Sequence, residues 1–334
     1  MPTIKEVSEH AGVSQATVSR VMNGTAKVVE ETRVKVLNAM KELGYRPNAH
    51  AQSLASNRSN SIGLLISEFD GPFYGALMAG AEEIFRKHKK RILISAGHGD
   101  EKLEKEAVEF LLGCRCDALV LHAETLSDEY LIEQANQGTH VILINRNIAE
   151  MEGQCLYIDN EQGSFMATEY LIEKGHKNIA YIAGPQWKHD ARERFWGYQK
   201  ALGKHNISLQ LGLVEEGNFR ESGGYQAASK LLDSGHKFTA VVCGNDQTAY
   251  GAISAIEERG LKVPDDISIV GFDDLPYSSL IKPKLTTVHF PIRQIAAEAA
   301  RRILQDVYKE KNTHTFNSCV QASMVERNSV KSIT

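Results

Sequence analysis

Tryptophan occurs twice and proline eight times in 334 residues, and no run approaches the roughly 18 apolar residues that a membrane-spanning helix requires. Such a helix is therefore excluded. The five cysteines, Cys114, Cys116, Cys155, Cys243 and Cys319, are scattered and odd in number, which excludes a disulfide-stapled scaffold and suits reduced thiols. The opening MPTIKEVSEHAGVS lacks a basic segment followed by an apolar one, so no secretory signal is expected and the chain is expected in the cytoplasm. What is present is a globular composition, 42% hydrophobic and 24% charged. That is too apolar for disorder and long enough for two or three folding units.

The net charge of -4 conceals an asymmetry. Residues 1–60 hold eight Lys or Arg against five Glu, a balance of +3, and the remaining 274 hold 30 basic and 37 acidic residues, a balance of -7. A basic head on an acidic body fits nucleic-acid binding; a chance imbalance on a solvated face fits as well.

Thr3 and Glu6 have the spacing of a capping box, so a helix is expected from residue 4, with Ile4, Val7 and Ala11 on one face and Gly12 as its stop. Ser14 can cap a second helix from Gln15 to about Met22, with Val18, Val21 and Met22 turned inward and Gln15, Ala16, Ser19 and Arg20 outward. A third helix, about Glu30 to Leu43, brings Val36, Leu37, Met40 and Leu43 to a small core. Two short helices about a glycine turn form a helix-turn-helix. On its second helix Gln15 can pair with adenine, Ala16 can meet a thymine methyl and Arg20 can grip guanine. A merely solvated helix face would carry similar residues.

The runs TIKEVSEHAGVS (3–14), ATVSRVMN (16–23), TR (32–33) and LGYRPN (43–48) resemble the headpiece of the lactose/galactose repressor family of bacterial transcriptional regulators, and the likeness continues to about residue 330. It is greatest toward the galactose and aryl-β-glucoside repressors, through RCDALVLH (115–122), INR (144–146), EG (216–217) with SGG (222–224), and KFTAV (237–241). The resemblance implies Gln15, Ala16 and Arg20 as base readers, with Ser14, Thr17 and Asn23 near phosphates. Val29 stands where many relatives place a capping Ser, so the third helix is expected to fray at its start. The small-residue segment Asn48 to Ser56 is too short to be a stable helix alone. The family has there a hinge helix that forms on operator DNA and inserts a leucine, here Leu54, into the minor groove. A plain flexible linker is the other reading.

From residue 61 onward short β-rich runs alternate with amphipathic stretches. Ser61 to Ser67, Arg91 to Ala96, Ala118 to His122, His140 to Asn145, Leu156 to Asp159, Asn178 to Ala183, Ala240 to Gly244 and Ser268 to Phe272 read as strands. An α/β core of two doubly wound parallel-sheet lobes follows, with ligands beyond the carboxyl ends of strands. LIEKGHKNIAYIAG (171–184) is echoed in LLDSGHKFTAVVCG (231–244), which makes His176 and His236 structural strand-entry residues. The resemblance adds a likeness to periplasmic sugar-binding proteins, with the chain crossing between lobes near residues 160, 290 and 320. The expected organisation is a helix-turn-helix domain at 1–46, a hinge at 47–59 and a core at 60–334. Within the core, a DNA-near lobe takes 61–160 and 290–318, and a far lobe takes 161–289 and 319–330. The run Leu285 to Pro291 and the helix Ile292 to Tyr308 are expected in the near lobe, with apolar residues facing a partner chain.

Polar and aromatic groups cluster just after the expected strands: Phe73 and Tyr74, His98, His122, Asn145 and Arg146, Asn245 and Asp246, Asp273 and Asp274. Carboxylate, amide and guanidinium groups can grip the hydroxyls of a sugar, and an aromatic ring can cover its C–H face. In the family, positions matching Arg194, Asn245 and Asp273 bind effector and Phe219 matches a stacking aromatic. Phe73, His122 and Arg146 complete the candidate set. No cofactor or metal is expected. Gly97-His98-Gly99 lacks the third glycine of a dinucleotide loop, and Cys114 and Cys116 lack a second ligand pair at zinc-like spacing. Neither Asp265-Asp266 nor Asp273-Asp274 comes with a nucleophile elbow, an HExxH or a phosphate loop.

The resemblance implies a homodimeric, allosteric repressor that binds a palindromic operator and is released by a galactoside or β-glucoside effector. The alternatives are a regulator strengthened by a nucleobase corepressor or phosphocarrier partner, and, from another class, a sugar-processing enzyme. The end at Thr334, without a heptad extension, leads to the expectation of a dimer rather than a coiled-coil tetramer.

Overall fold

The computed structural model describes residues 2–23, 27–46, 58–311 and 317–333, with the side chain of Asn23 excepted. It divides into two units, Met1–Asn60 and Ser61–Thr334. In the first, α1 (Ile4–Ala11) opens on the capping box: the Glu6 carboxylate accepts from the Thr3 amide at 2.7 Å, and the Thr3 hydroxyl accepts from the Glu6 amide at 3.3 Å. Gly12, at φ 65°, ends the helix in the left-handed region that favours glycine. The Ser14 hydroxyl accepts from the Thr17 amide at 3.2 Å and starts α2 (Gln15–Asn23). Helix α3 (Glu30–Glu42) starts at Val29, which makes no side-chain cap bond and is 73% exposed. Val7, Val18, Val36 and Ala39 are the buried centre, flanked by Ile4, Met22, Met40 and Leu43. Leu37, expected in this core, is exposed. The inward stripe of α3 runs through positions 36, 39, 40 and 43, and position 37 is turned about 100° from Val36. The hinge segment and Leu54 lie outside the described residues.

The second unit holds two six-stranded sheets. The first has the order β11 (Cys319–Val320), β5 (Cys155–Ile158), β4 (His140–Ile144), β3 (Ala118–Leu121), β1 (Ser61–Ile66), β2 (Arg91–Ala96), all pairs parallel. The second runs β12 (Ser323–Val325), β10 (Thr286–His289), β9 (Ser268–Asp273), β8 (Ala240–Cys243), β6 (Ile179–Ala183), β7 (Val214–Glu216); only β10 with β12 is antiparallel. Strands β3, β6 and β8 are buried throughout, because helices cover both faces of a parallel sheet. These include α4 (Pro72–Lys87), α5 (Glu101–Gly113), α6 (Asp128–Asn136), α7 (Asn160–Glu173), α8 (His189–Lys204), α9 (Glu221–Asp233), α10 (Asp246–Glu258) and α11 (Ile292–Asp306).

Three expectations about the crossings are corrected. Thr286–His289 pairs with β9 in the second sheet, which agrees with the far-lobe bounds 161–289 and corrects the placing of the run Leu285 to Pro291 in the near lobe. Cys319–Val320 pairs with Tyr157–Ile158 in the first sheet, so the last crossing falls after Val320 and these two residues leave the far lobe. Helix α11 packs on α4 and β4, and its Ile295, Ala299 and Ile303 are buried inside the chain rather than turned toward a partner. The strands β7, β11 and β12 escaped the sequence because two or three residues carry too little alternation to register, and β10 lacks the apolar run that made the four-residue β3 and β8 legible.

The two echoed segments fold into adjacent parallel strands, with Ile179 beside Ala240. Their glycines, Gly175 and Gly235, both stop a helix at positive φ. Their histidines part company. His176 is buried between the Thr239 hydroxyl and the Lys331 carbonyl, at 2.8 and 3.0 Å, whereas His236 is exposed.

Candidate functional site

Strand order reverses between β3 and β2 on either side of β1, and between β8 and β7 on either side of β6. At such a switch point the loops leave in opposite directions and open a crevice at the carboxyl ends of the strands. A cavity of about 300 Å³ lies there. The first lobe contributes the segments after β1 and β3; the second contributes those after β6, β7, β8 and β9.

Arg194, on α8, is the centre of the second-lobe wall and is 3% exposed. Its Nε donates to Asn160 Oδ1 at 3.0 Å, its Nη1 donates to the Gly244 carbonyl at 2.7 Å and to Asp273 Oδ1 at 3.4 Å, and its guanidinium lies 3.8 Å above the Phe272 ring. A planar fork with a ring beneath it and acceptors at its edge has one orientation, which an ammonium could not hold. Burial pushes the Asp273 carboxyl up to about 8 against the pull of Arg194, with Asp246 and Asp190 adding to the rise. Burial raises Asp190 too, but Arg194, Lys188 and the Ala191 amide outweigh it and hold that carboxyl below its usual range. The backbone of Asp273 is at φ 109°, a left-handed conformation rare for a residue with a Cβ and a mark of a position held by its surroundings.

Asn245 caps α10 by accepting from the Thr248 amide at 2.9 Å, and its amide nitrogen donates to the Phe219 carbonyl at 3.0 Å. Phe219 is itself at φ 61°. The tip of its ring lies against Gly184, where any side chain would collide with it. One buried asparagine thus starts a helix and sets the depth of the aromatic ring.

On the first-lobe wall, Phe73 makes edge contacts with Tyr74, His122 and Phe290 at 5.3 to 5.7 Å between ring centres. Glu104, fully buried, accepts from the amides of Glu124, Thr125 and Leu126 at 3.0 to 3.2 Å and fixes the loop after β3. Lys188 from the second lobe donates to Glu124 Oε1 at 2.6 Å, and the Tyr74 hydroxyl reaches the same oxygen at 3.3 Å. Burial raises the Tyr74 hydroxyl well above its usual range, and the Glu124 charge adds to this.

Phe73, His122, Arg194, Phe219, Asn245 and Asp273 all line the one cavity, together with Tyr74. Arg146 does not: it donates to the Leu126 carbonyl at 2.6 Å and to Asp128 at 2.5 Å, so it pins a loop behind the wall. His98 is exposed, and Asp274 is tied to Arg327 at 2.6 Å and His289 at 2.9 Å. Asp246 is fully buried beneath the floor and accepts from Leu275, Ser278 and Thr287 at 2.5 to 2.7 Å. Burial pushes it up to about 7. The sequence reading missed Glu124, Lys188, Asp190 and Asn160. Of these only Asp190 carried a signal, four residues before Arg194 on the same helix face.

In the first unit, Gln15, Ala16 and Arg20 are exposed on α2, with Thr17 and Ser19 partly so. Ser14 and Thr17 bond to each other at 2.9 Å at the amino end of that helix. Val18, on the opposite side, is buried in the three-helix core. The helix therefore presents its polar face while its apolar face is fully used.

With this geometry in view, residues 3–48 match the model for bacterial regulatory proteins of the lacI family. The chain belongs to the lacI family of bacterial regulatory proteins. Residues 168–330 match the periplasmic binding protein-like domain. The transcriptional regulator GalR of Salmonella typhimurium (strain SL1344) is 39% identical over 337 residues, covering 100% of this chain and 97% of its own. The regulator AscG of Escherichia coli (strain K12) is 33% identical over 307 residues, covering 91% of each. Among solved structures, a lac repressor dimer bound to operator and the anti-inducer ONPF superposes with a TM-score of 0.86 at 32% identity, over 99% of both chains. These relatives are regulators with a DNA-binding head and not enzymes, and the fold is that of the expectation: a helix-turn-helix head and an α/β core of two parallel-sheet lobes.

Proposed function

We propose that this lacI-family regulator is a cytoplasmic homodimeric repressor whose hold on a palindromic operator is weakened when a small neutral sugar, of galactoside or β-glucoside type, enters the cavity between the lobes. The observation that carries the sugar class is the balance of the cavity lining. Glu68, Asp70, Glu124, Asp190 and Glu221 face only Lys188, Arg194 and Arg220, a surplus of carboxylates that repels anions and favours hydroxyl donors. Arg194, Asn245 and Asp273 supply the hydroxyl-binding groups, Phe219 the face for C–H contact, and Phe73 and His122 the opposite wall.

On the head, Gln15, Ala16 and Arg20 read bases in the major groove, Ser14, Thr17 and Asn23 hold phosphates, Ser19 belongs to the same DNA-binding face, and Leu54 of the hinge enters the minor groove. Two heads related by a twofold axis require two half-sites, hence a palindrome. Closing the lobes on ligand needs only a coupling of about 1–3 kcal/mol to shift the operator equilibrium. Fluorescence anisotropy of the full chain on operators drawn from its own upstream region tests this. Galactose, a galactoside or a β-glucoside is expected to lower affinity roughly 5- to 150-fold. Unchanged or tightened binding with every sugar would overturn the inducer reading.

A further inference from the structure

Two cavities lie back to back in the core. The larger is the cleft described above; the smaller, of about 20 Å³, is bounded by Asn145, Arg146 and His189. His122, Glu124, Lys188 and Asp190 line both, so these four side chains form the wall between them. The wall is built from both lobes. His122 and Glu124 follow β3, and Lys188 and Asp190 stand at the start of α8.

Its central contact is the 2.6 Å bond of Lys188 to Glu124, with side chains only 15% and 8% exposed. A second bridge across the lobes, Arg220 with Glu68 and Asp70, has side chains 38–84% exposed. Exposed pairs yield to solvent and to a ligand at little energy, whereas parting a buried pair strands a charge. The wall is therefore the rigid boundary and the exposed bridge the soft one. Glu124 Oε2 and both ring nitrogens of His122 are buried at this wall without a hydrogen-bond partner.

The cavity stands at the small end of ligand pockets, which span roughly 300–1,000 Å³. We infer that the Glu124–Lys188 pair is a specificity-determining partition: it stops the ligand from extending past His122 toward Arg146 and so favours a single hexose over a glycoside with a second ring on that side. This rests on the reading of the cleft as the sugar site. The partition acts by occupying space. Removing both side chains together avoids leaving one buried charge alone, and the Glu124 backbone stays anchored on Glu104 at 3.0 Å.

The experiment is isothermal titration of the full-length chain with galactose, glucose, lactose and cellobiose. It compares the parent, E124A/K188A, and the nearly isosteric but uncharged E124Q/K188M. The expected result is that E124A/K188A raises the affinity for at least one disaccharide, relative to its hexose, by about tenfold or more, while E124Q/K188M keeps the parent ratio. An unchanged ratio in E124A/K188A overturns the partition and leaves the sugar site standing, as does an equal rise in E124Q/K188M. A parent that binds none of the four sugars overturns the sugar reading, and the partition falls with it.

Discussion

Arg194 carries more of the site than any other side chain because it is at once a binding group and the partner of buried acceptors. Its guanidinium serves Asn160, Gly244 and Asp273. Arg194→Ala leaves the Asn160 and Gly244 acceptors buried without their donor and Asp190 with Lys188 as its remaining cation, and a loss of about 1–3 kcal/mol follows, measurable as a lowered urea midpoint. The same variant is expected to stay on its operator whatever sugar is added. Arg194→Lys keeps the charge and loses the fork; it is expected to unfold nearer the parent while its ligand affinity falls at least about tenfold. Beneath the floor, Asp246 is pushed up to about 7 by burial. A carboxyl raised in the folded state holds a proton there that the unfolded chain has already released, so stability falls as pH climbs from the usual carboxylate range toward 7 and is level above it. Asp246→Asn removes that proton. Its thermal midpoint is expected to vary less between pH 5 and pH 7 than the parent's; an identical slope would assign the dependence elsewhere.

At the scale of the element, the contrast between helix starts is instructive. α1 has a full capping box, α5 accepts its Leu103 amide on Asp100 at 3.0 Å, and α10 accepts on Asn245. α3 begins at an exposed valine that caps nothing. Val29→Ser supplies the missing acceptor and is expected to stabilise the head by about 0.5–2 kcal/mol, read as slower amide exchange at Glu31 and Thr32. Helix α8 shows how one element serves two ends. Asp190 and Arg194 look into the cleft from its first turns, and Tyr198, one turn on, is buried against Tyr181 with ring centres 4.7 Å apart. Fixing that ring beneath the sheet fixes the angle at which the guanidinium meets the cavity.

The whole molecule separates reading from sensing. The three-helix unit has its own buried centre, and the two-lobed unit has its own sheets and cavity. Deleting residues 1–58 is accordingly expected to abolish operator binding and leave the ligand-induced rise in thermal midpoint intact. At ligand about 100 times its Kd that rise corresponds to about 2.7 kcal/mol. Loss of both would show that the sensing unit needs the head to fold. The crossings before α7, before α11 and after Val320 let the lobes share three chain segments, which suits a hinge motion more than independent domains.

Much of this was written in the chain order. Local rules suffice where a residue acts on its near neighbours. The Thr3–Glu6 box, the stop at Gly12, the buried runs of β3, β6 and β8 and the paired stops at Gly175 and Gly235 were all legible, since caps, turns and apolar runs are short-range physics. The placement of Phe73, His122, Asn245 and Asp273 after strands was legible for the same reason, Phe219 entered through the family resemblance, and strand order then gathers them. Leu37 was misplaced because helix phase must be known to within one residue. The departure of Arg146, the role of Asn160 as the acceptor for Arg194, the Glu124–Lys188 wall and the pairing of Cys319–Val320 with the first sheet depend on segments 18 to 162 residues apart. No local pattern encodes such meetings. They arise only when the chain is folded and burial decides which charges must find one another.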